Sequence, residues 1–154
     1  IKQNERSVAE ILAANMRKMI ISERPNNPAY FDKMSDLLNH LLQEQKDGKI
    51  QYKELIKKLI EKLKEARSTI KTKYPATIDT KGKQALYDNL GKDEILALRV
   101  HETIKANARD GFRDMDSSGL KKMKALRRAV ERVLQGVEVN IDDIMQLIVA
   151  QREY

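Results

Sequence analysis

The sequence predicts an all-α fold, a single multi-helix, bundle-like domain of about six to seven helices. Three observations carry this. Apolar residues recur at three- and four-residue spacings in one stretch after another. Glycine and proline number only 6 and 3, and most of them punctuate the gaps between those stretches. There is no cysteine, so neither a disulfide framework nor a thiolate zinc site can substitute for a packed core. A chain of 154 residues is long enough to bury one such core. The expected domain spans 1–154, with a soft subdivision near residue 75, because neither half alone offers a large core.

Residues 5–21 read as the first helix, with Val8, Ile11, Leu12, Asn15, Met16, Met19 and Ile20 near one face. Asn27-Pro28 is a start signal, since Asn can cap and proline suits the first helical position. Tyr30, Phe31, Met34, Leu37, Leu38, Leu41 and Leu42 follow at helical spacing, and Gly48 supplies a stop. Residues 50–71 form the clearest amphipathic helix. Tyr52, Leu55, Ile56, Leu59, Ile60, Leu63, Ala66 and Ile70 line one side. Pro75 ends that stretch, because it has no amide to donate and restrains Tyr74 away from helical angles. Asp79 or Thr80 can cap a short helix released by Gly91. Asp93 can begin the next helix, whose apolar positions are Ile95, Leu96, Leu98, Val100 and Ile104, with Gly111 as its exit. Phe112, alone in a polar loop, is expected to plug a core edge. Residues 120–135 return to helix through Leu120, Met123, Leu126, Val130, Val133 and Leu134. Asn140 with Asp143 resembles a capping box for a final helix through Ile141, Ile144, Met145, Leu147 and Ile148.

The formal charge is +7 and is unevenly spread. Residues 46–73 hold ten Lys or Arg against four acids, and residues 117–134 hold six against one. Lys53, Lys57, Lys64 and Lys71 repeat along one helix face; Lys121, Lys124, Arg128 and Arg132 repeat along another. These two rows are the candidate contacts for DNA phosphate or another polyanion.

Catalytic patterns are missing. His40 and His101 are the only histidines, and neither has a metal-ligating partner three or four residues away. Asp114-Met115-Asp116-Ser117-Ser118-Gly119 imitates half a calcium loop, but its twelfth position is Ala125 rather than an acid. It reads as an acidic turn capping the following helix. Asp79-Thr80-Lys81 lacks the preceding acid of a nuclease site. No phosphate-binding Gly-x-x-x-x-Gly-Lys loop and no matched nucleophile and base occur. The chain is therefore expected not to be an enzyme, and to hold no cofactor or metal. No apolar run approaches the roughly 18 residues of a membrane span. Ile1-Lys2-Gln3-Asn4-Glu5 has no signal-peptide pattern and no initiator methionine, which reads most plainly as a fragment or processed piece and equally fits an omitted first residue.

Several motifs occur in order: Asn27-Pro28-Ala29-Tyr30-Phe31 through Leu38, Lys73-Tyr74-Pro75, Ala85-Leu86-Tyr87-Asp88-Asn89-Leu90, Asp93-Glu94 with Leu96-Ala97-Leu98, Lys105 through Arg113, and Gln151-Arg152-Glu153-Tyr154. Over roughly residues 25–154 this series resembles the C-terminal helical region of the R (motor and restriction) subunit of type I restriction-modification enzymes. Phe112 stands where that family usually has tryptophan, and Asp114-Met115 where it has Gly-Asn.

The resemblance implies a prokaryotic, cytoplasmic helical domain. Its parent is an ATP-dependent DNA translocase and endonuclease that uses ATP and magnesium in other domains. The implied job is to dock the motor onto the methyltransferase core of M and S subunits. The implied partners are the M subunit, the M/S core, the other domains of the R subunit and, as an alternative function, duplex DNA bound without sequence preference. Tyr74, Tyr87, Asp88 and Asn89 are docking candidates because they join amphipathic rings to directional polar groups. Phe112 with Arg113 is a second candidate patch. Each has a plainer reading, as core residue or helix cap.

Overall fold

The computed structural model describes residues 2–68 and 73–154. Among these residues are seven α-helices and no strand, so the chain is all-α as its periodicity predicts. The elements are α1 (Lys2–Glu23), a 3-10 turn (Arg24–Asn26), α2 (Pro28–Lys46), α3 (Tyr52–Arg67), α4 (Lys81–Asn89), α5 (Glu94–Asn107), α6 (Ser117–Val133) and α7 (Ile141–Ala150). They sort into two compact units. One comprises Ile1–Arg24 and Pro28–Lys71; the other comprises Pro25–Asn27 and Thr72–Tyr154. Each unit has its own buried cluster.

In the first unit α1 packs chiefly along α3 and also against α2. Leu55, Leu59, Leu63 and Ala66 of α3 meet Phe31, Met34, Leu38 and Leu41 of α2 in the core. The buried face of α1 differs from the expected one. Its seam is Ala9, Ala13, Met16 and Ile20, while Val8 and Ile11 are 44% and 60% exposed. At about 100° per residue, Val8 and Ile11 lie one and two positions off that seam and point away from it. Two alanines let the α1 backbone come close to α3, and the leucines of α3 with Met16 supply the volume. Gly48 ends α2 at φ +74°. Its amide donates to the Gln45 carbonyl at 3.1 Å and the Lys49 amide donates to that of Glu44 at 2.8 Å, a Schellman closure. The α3 helix closes at Arg67, short of the expected residue 71. Ile70 and Lys71 lie outside the described residues.

In the second unit α5 packs against α4 and α6, and α7 packs against α4. Leu86, Val100, Ile104, Leu126, Val130 and Ile148 are fully enclosed, and Phe112 plugs the same core at 4% exposure. Side-chain caps start each helix. Thr80, Asp93, Asp116 and Asn140 accept from the amides of Lys83, Leu96, Gly119 and Asp143 at 3.2, 3.0, 2.7 and 3.1 Å. The turn at Asp114–Gly119 thus works as a helix cap, and α6 begins at Ser117 rather than Leu120. Two expected core residues are exposed. Ile95 is 73% exposed because the α5 seam runs through Ala97, Val100, His101 and Ile104, about 200° round the helix from it. Leu120 is 46% exposed because the α6 seam follows Leu126 and Val130.

The seam assignment in α1 makes a direct stability prediction. Ala13→Leu overpacks the contact and should cost about 1–3 kcal/mol. Ile11→Ala should change stability by no more than about 0.5 kcal/mol. Urea midpoints of the two variants check this, and the reverse order would reject the seam.

Candidate functional site

The residues that carry the sequence motifs meet in the second unit. Asp88 lies in the last turn of α4. Its Oδ2 accepts from the Tyr74 hydroxyl and, at 2.9 Å, from Asn27 Nδ2. Asn27 Oδ1 in turn accepts from Asn89 Nδ2 at 2.8 Å, and the same Asn89 amide reaches the Ala85 carbonyl at 2.7 Å. The Tyr74 and Tyr87 rings stand edge to face with centroids 5.6 Å apart. Three segments, 61 residues apart from Asn27 to Asp88, are therefore tied by one carboxylate and two carboxamides. Tyr74, Tyr87, Asp88 and Asn89 do come together: the polar groups of Tyr74, Asp88 and Asn89 are engaged within the unit, and Tyr87 joins them through its ring.

A second knot gathers the C-terminal segment. Gln151 is 6% exposed, and its Nε2 donates to the carbonyls of Asn26 at 2.6 Å and Leu147 at 3.2 Å. Glu153 sits over the first turn of α4. It accepts from the Gly82 amide at 2.6 Å and from the Thr80 hydroxyl at 3.1 Å, where free amides and the helix dipole favour an anion. A Cβ at Gly82 would stand 2.5 Å from Glu153 Oε1, so a side chain there would push the Glu153 carboxylate off this seat. Arg113 closes the other end. Its Nε donates to the Val149 carbonyl at 3.0 Å, Nη1 to that of Tyr154 at 2.9 Å and Nη2 to that of Gln151 at 2.8 Å. These acceptors sit in and just beyond the last turn of α7, where the helix leaves its own carbonyls unpaired. The guanidinium also stacks 4.2 Å from the Phe112 ring centre.

His101, read from the sequence as an ordinary helix residue, faces Tyr154 with Nδ1 and Oη 2.6 Å apart. Burial, reinforced by the positive charge of Lys83, holds its pKa below the usual 6.5. Burial, with Glu153 and Glu102 adding negative charge, pushes the Tyr154 hydroxyl above its usual 10.0. His101, Gln151, Glu153 and Tyr154 had no mark as site residues beyond the closing motif, because each acquires its partner only through the fold.

Lys53, Lys57 and Lys64 are exposed on α3, and Lys121, Lys124, Arg128 and Arg132 are exposed on α6; Lys71 is outside the described residues. Residues 108–114 and Tyr154 line an open depression of about 320 Å³ rimmed by Arg109, Asp110, Arg113 and Asp114. Among the described residues no three His, Asp or Glu side chains are grouped as a metal set, and no helix is long and apolar enough to cross a membrane. No family model matches the chain, and no curated protein or solved structure is found similar to it.

Two predictions follow from the knots. Arg113→Met removes a charged donor from several helix-end carbonyls and should cost about 1–3 kcal/mol. Arg113→Lys should recover little of that, because an ammonium cannot fork between them. Denaturant midpoints measure both. For His101, a folded pKa below 6.5 means that the unfolded chain takes up the proton first. Its contribution is full above that pH and is lost as pH falls below it. Stability at pH 5 relative to pH 7.5 should thus decline in the natural chain, and His101→Gln should lack this part of the decline.

Proposed function

We propose that this chain is the C-terminal helical assembly region of a type I restriction-enzyme R subunit, and that it seats the ATP-driven DNA motor on the methyltransferase core. One observation carries the reading. The motif residues on which the resemblance rests, from Asn27, Tyr74, Asp88 and Asn89 to Arg113, Gln151, Glu153 and Tyr154, converge in two adjoining knots of one unit. Gln151 links the two knots through the Asn26 carbonyl, 125 residues away in sequence.

In this reading the knots shape the platform and do not themselves touch the partner. Docking falls to side chains that stay exposed. Val8, Ile11 and Ile21 on α1, and Ile95, Met115 and Leu120 in the second unit, present apolar area of the kind a protein partner covers. Cutting, ATP hydrolysis and magnesium belong to other domains of the parent subunit, so the chain contributes position and rigidity.

Co-purification with the M/S methyltransferase core tests the proposal. Packed apolar contacts should hold the complex through about 0.5 M salt, where the Debye length has shrunk to a few ångström. No retention at any salt would reject the assembly role.

A further inference from the structure

The two basic rows differ in what surrounds them. On α3 the exposed acids Glu54 and Glu61 stand among the lysines. On α6 the single acid is Glu131, and Arg127 holds it at 2.7 Å. The same guanidinium reaches Asp142 in the first turn of α7 at 2.6 Å. Lys121, Lys124, Arg128 and Arg132 are left exposed, within an arc of about 80° and over about 16 Å of the helix.

The start of α6 adds a different surface. Asp116 is the cap, so Met115 and Leu120 hold the positions just before it and four past it, where an apolar pair often closes over a first turn. Here both stay open to solvent, Met115 at 85% and Leu120 at 46% exposure. Leu120 stands about 40° round the helix from Lys124, so apolar area and cations share one edge. Asp114 and Asp116, exposed on either side of Met115, reverse the sign of charge at that end.

We infer that this edge takes an acidic amphipathic helix of a protein partner, with carboxylates against the four cations and an apolar residue against Met115 and Leu120. Acids recurring every three or four residues line one face of a helix, which matches the spacing of 121, 124, 128 and 132. Duplex nucleic acid fits less well. Its backbone is anionic throughout, so it would run past the row onto Asp114 and Asp116 and leave the apolar pair uncovered. A protein helix can change from acidic to apolar within one turn. Complementary charge speeds encounter and fixes register, while the apolar pair is the part that resists salt. The inference deepens the assembly reading and rests on it for the identity of the partner, the M/S core; the partner's chemistry follows from the α6 edge alone.

Titration of the whole chain with a labelled peptide of about 18 residues, long enough to hold a helix, is the test. The peptide carries Glu at three- and four-residue spacing on one face and Leu at the end of that face. Its control has the same composition in an order without helical periodicity. The patterned peptide should bind at least about tenfold tighter than the control, and Lys124→Glu/Arg128→Glu or Leu120→Glu should remove the difference. Lys53→Glu/Lys57→Glu on α3 makes the same change of charge and should leave it in place. Circular dichroism confirms that each variant is folded. No preference for the patterned peptide, an equal loss in the α3 variant, or displacement of the peptide by a lower concentration of duplex DNA would overturn the inference. So would a dimer of the chain that the α6 variant dissolves. Retention on the M/S core separates the two readings. An α6 variant held as firmly as the natural chain overturns the inference and leaves the assembly role standing. A natural chain that the core does not retain, with the peptide preference intact, rejects the assembly role and supports the inference.

Discussion

The second unit depends on a requirement that every helix end imposes: the last carbonyls need donors. At the end of α7 the donors come from Arg113, on the loop between α5 and α6. That fork fixes the 151–154 segment, and the segment then reaches three other places. Gln151 holds the 3-10 turn at Asn26, Glu153 covers the start of α4, and Tyr154 meets His101 on α5. Phe112, next to Arg113, is driven into the core by the same loop geometry. A single guanidinium thereby organises contacts to four elements, which accounts for the prominence of Phe112-Arg113 in the sequence without any partner.

Polar ties are prominent because apolar mass is modest. The chain has no tryptophan and only 2 phenylalanines, and a third of it is charged. Helices of 9 and 10 residues, α4 and α7, are too short to be stable through propensity alone. Their ends are therefore held by side chains from distant segments. Glu153 and Thr80 serve the start of α4, Asn89 serves its end, and Arg113 serves the end of α7.

Local features were legible in the sequence. Gly48, Thr80, Asp93 and Asn140 act through neighbours three to five residues away, so their roles follow from spacing alone. The leucines of the α3 stripe were equally plain, although Ile60, expected on the same side, is 37% exposed. The face of α1 was not. Val8 and Ile11 are larger than Ala9 and Ala13, and a reading by hydrophobicity favours size, whereas close helix approach favours smallness. The knots were legible only as motifs. Nothing in the local pattern says that Asp88 will meet Asn27 or that Arg113 will meet the carbonyl of Tyr154, since those meetings are set by how α4, α5 and α7 pack.

The Arg127 clasp has a consequence for how charge is counted. Along the sequence this region is already rich in base, with six Lys or Arg against one acid over residues 117–134. Folding pairs Arg127 with Glu131 and with Asp142 of α7, and leaves Lys121, Lys124, Arg128 and Arg132 exposed on α6. The excess of charge is written in the sequence, and its alignment along one edge is a conformational property of the helix.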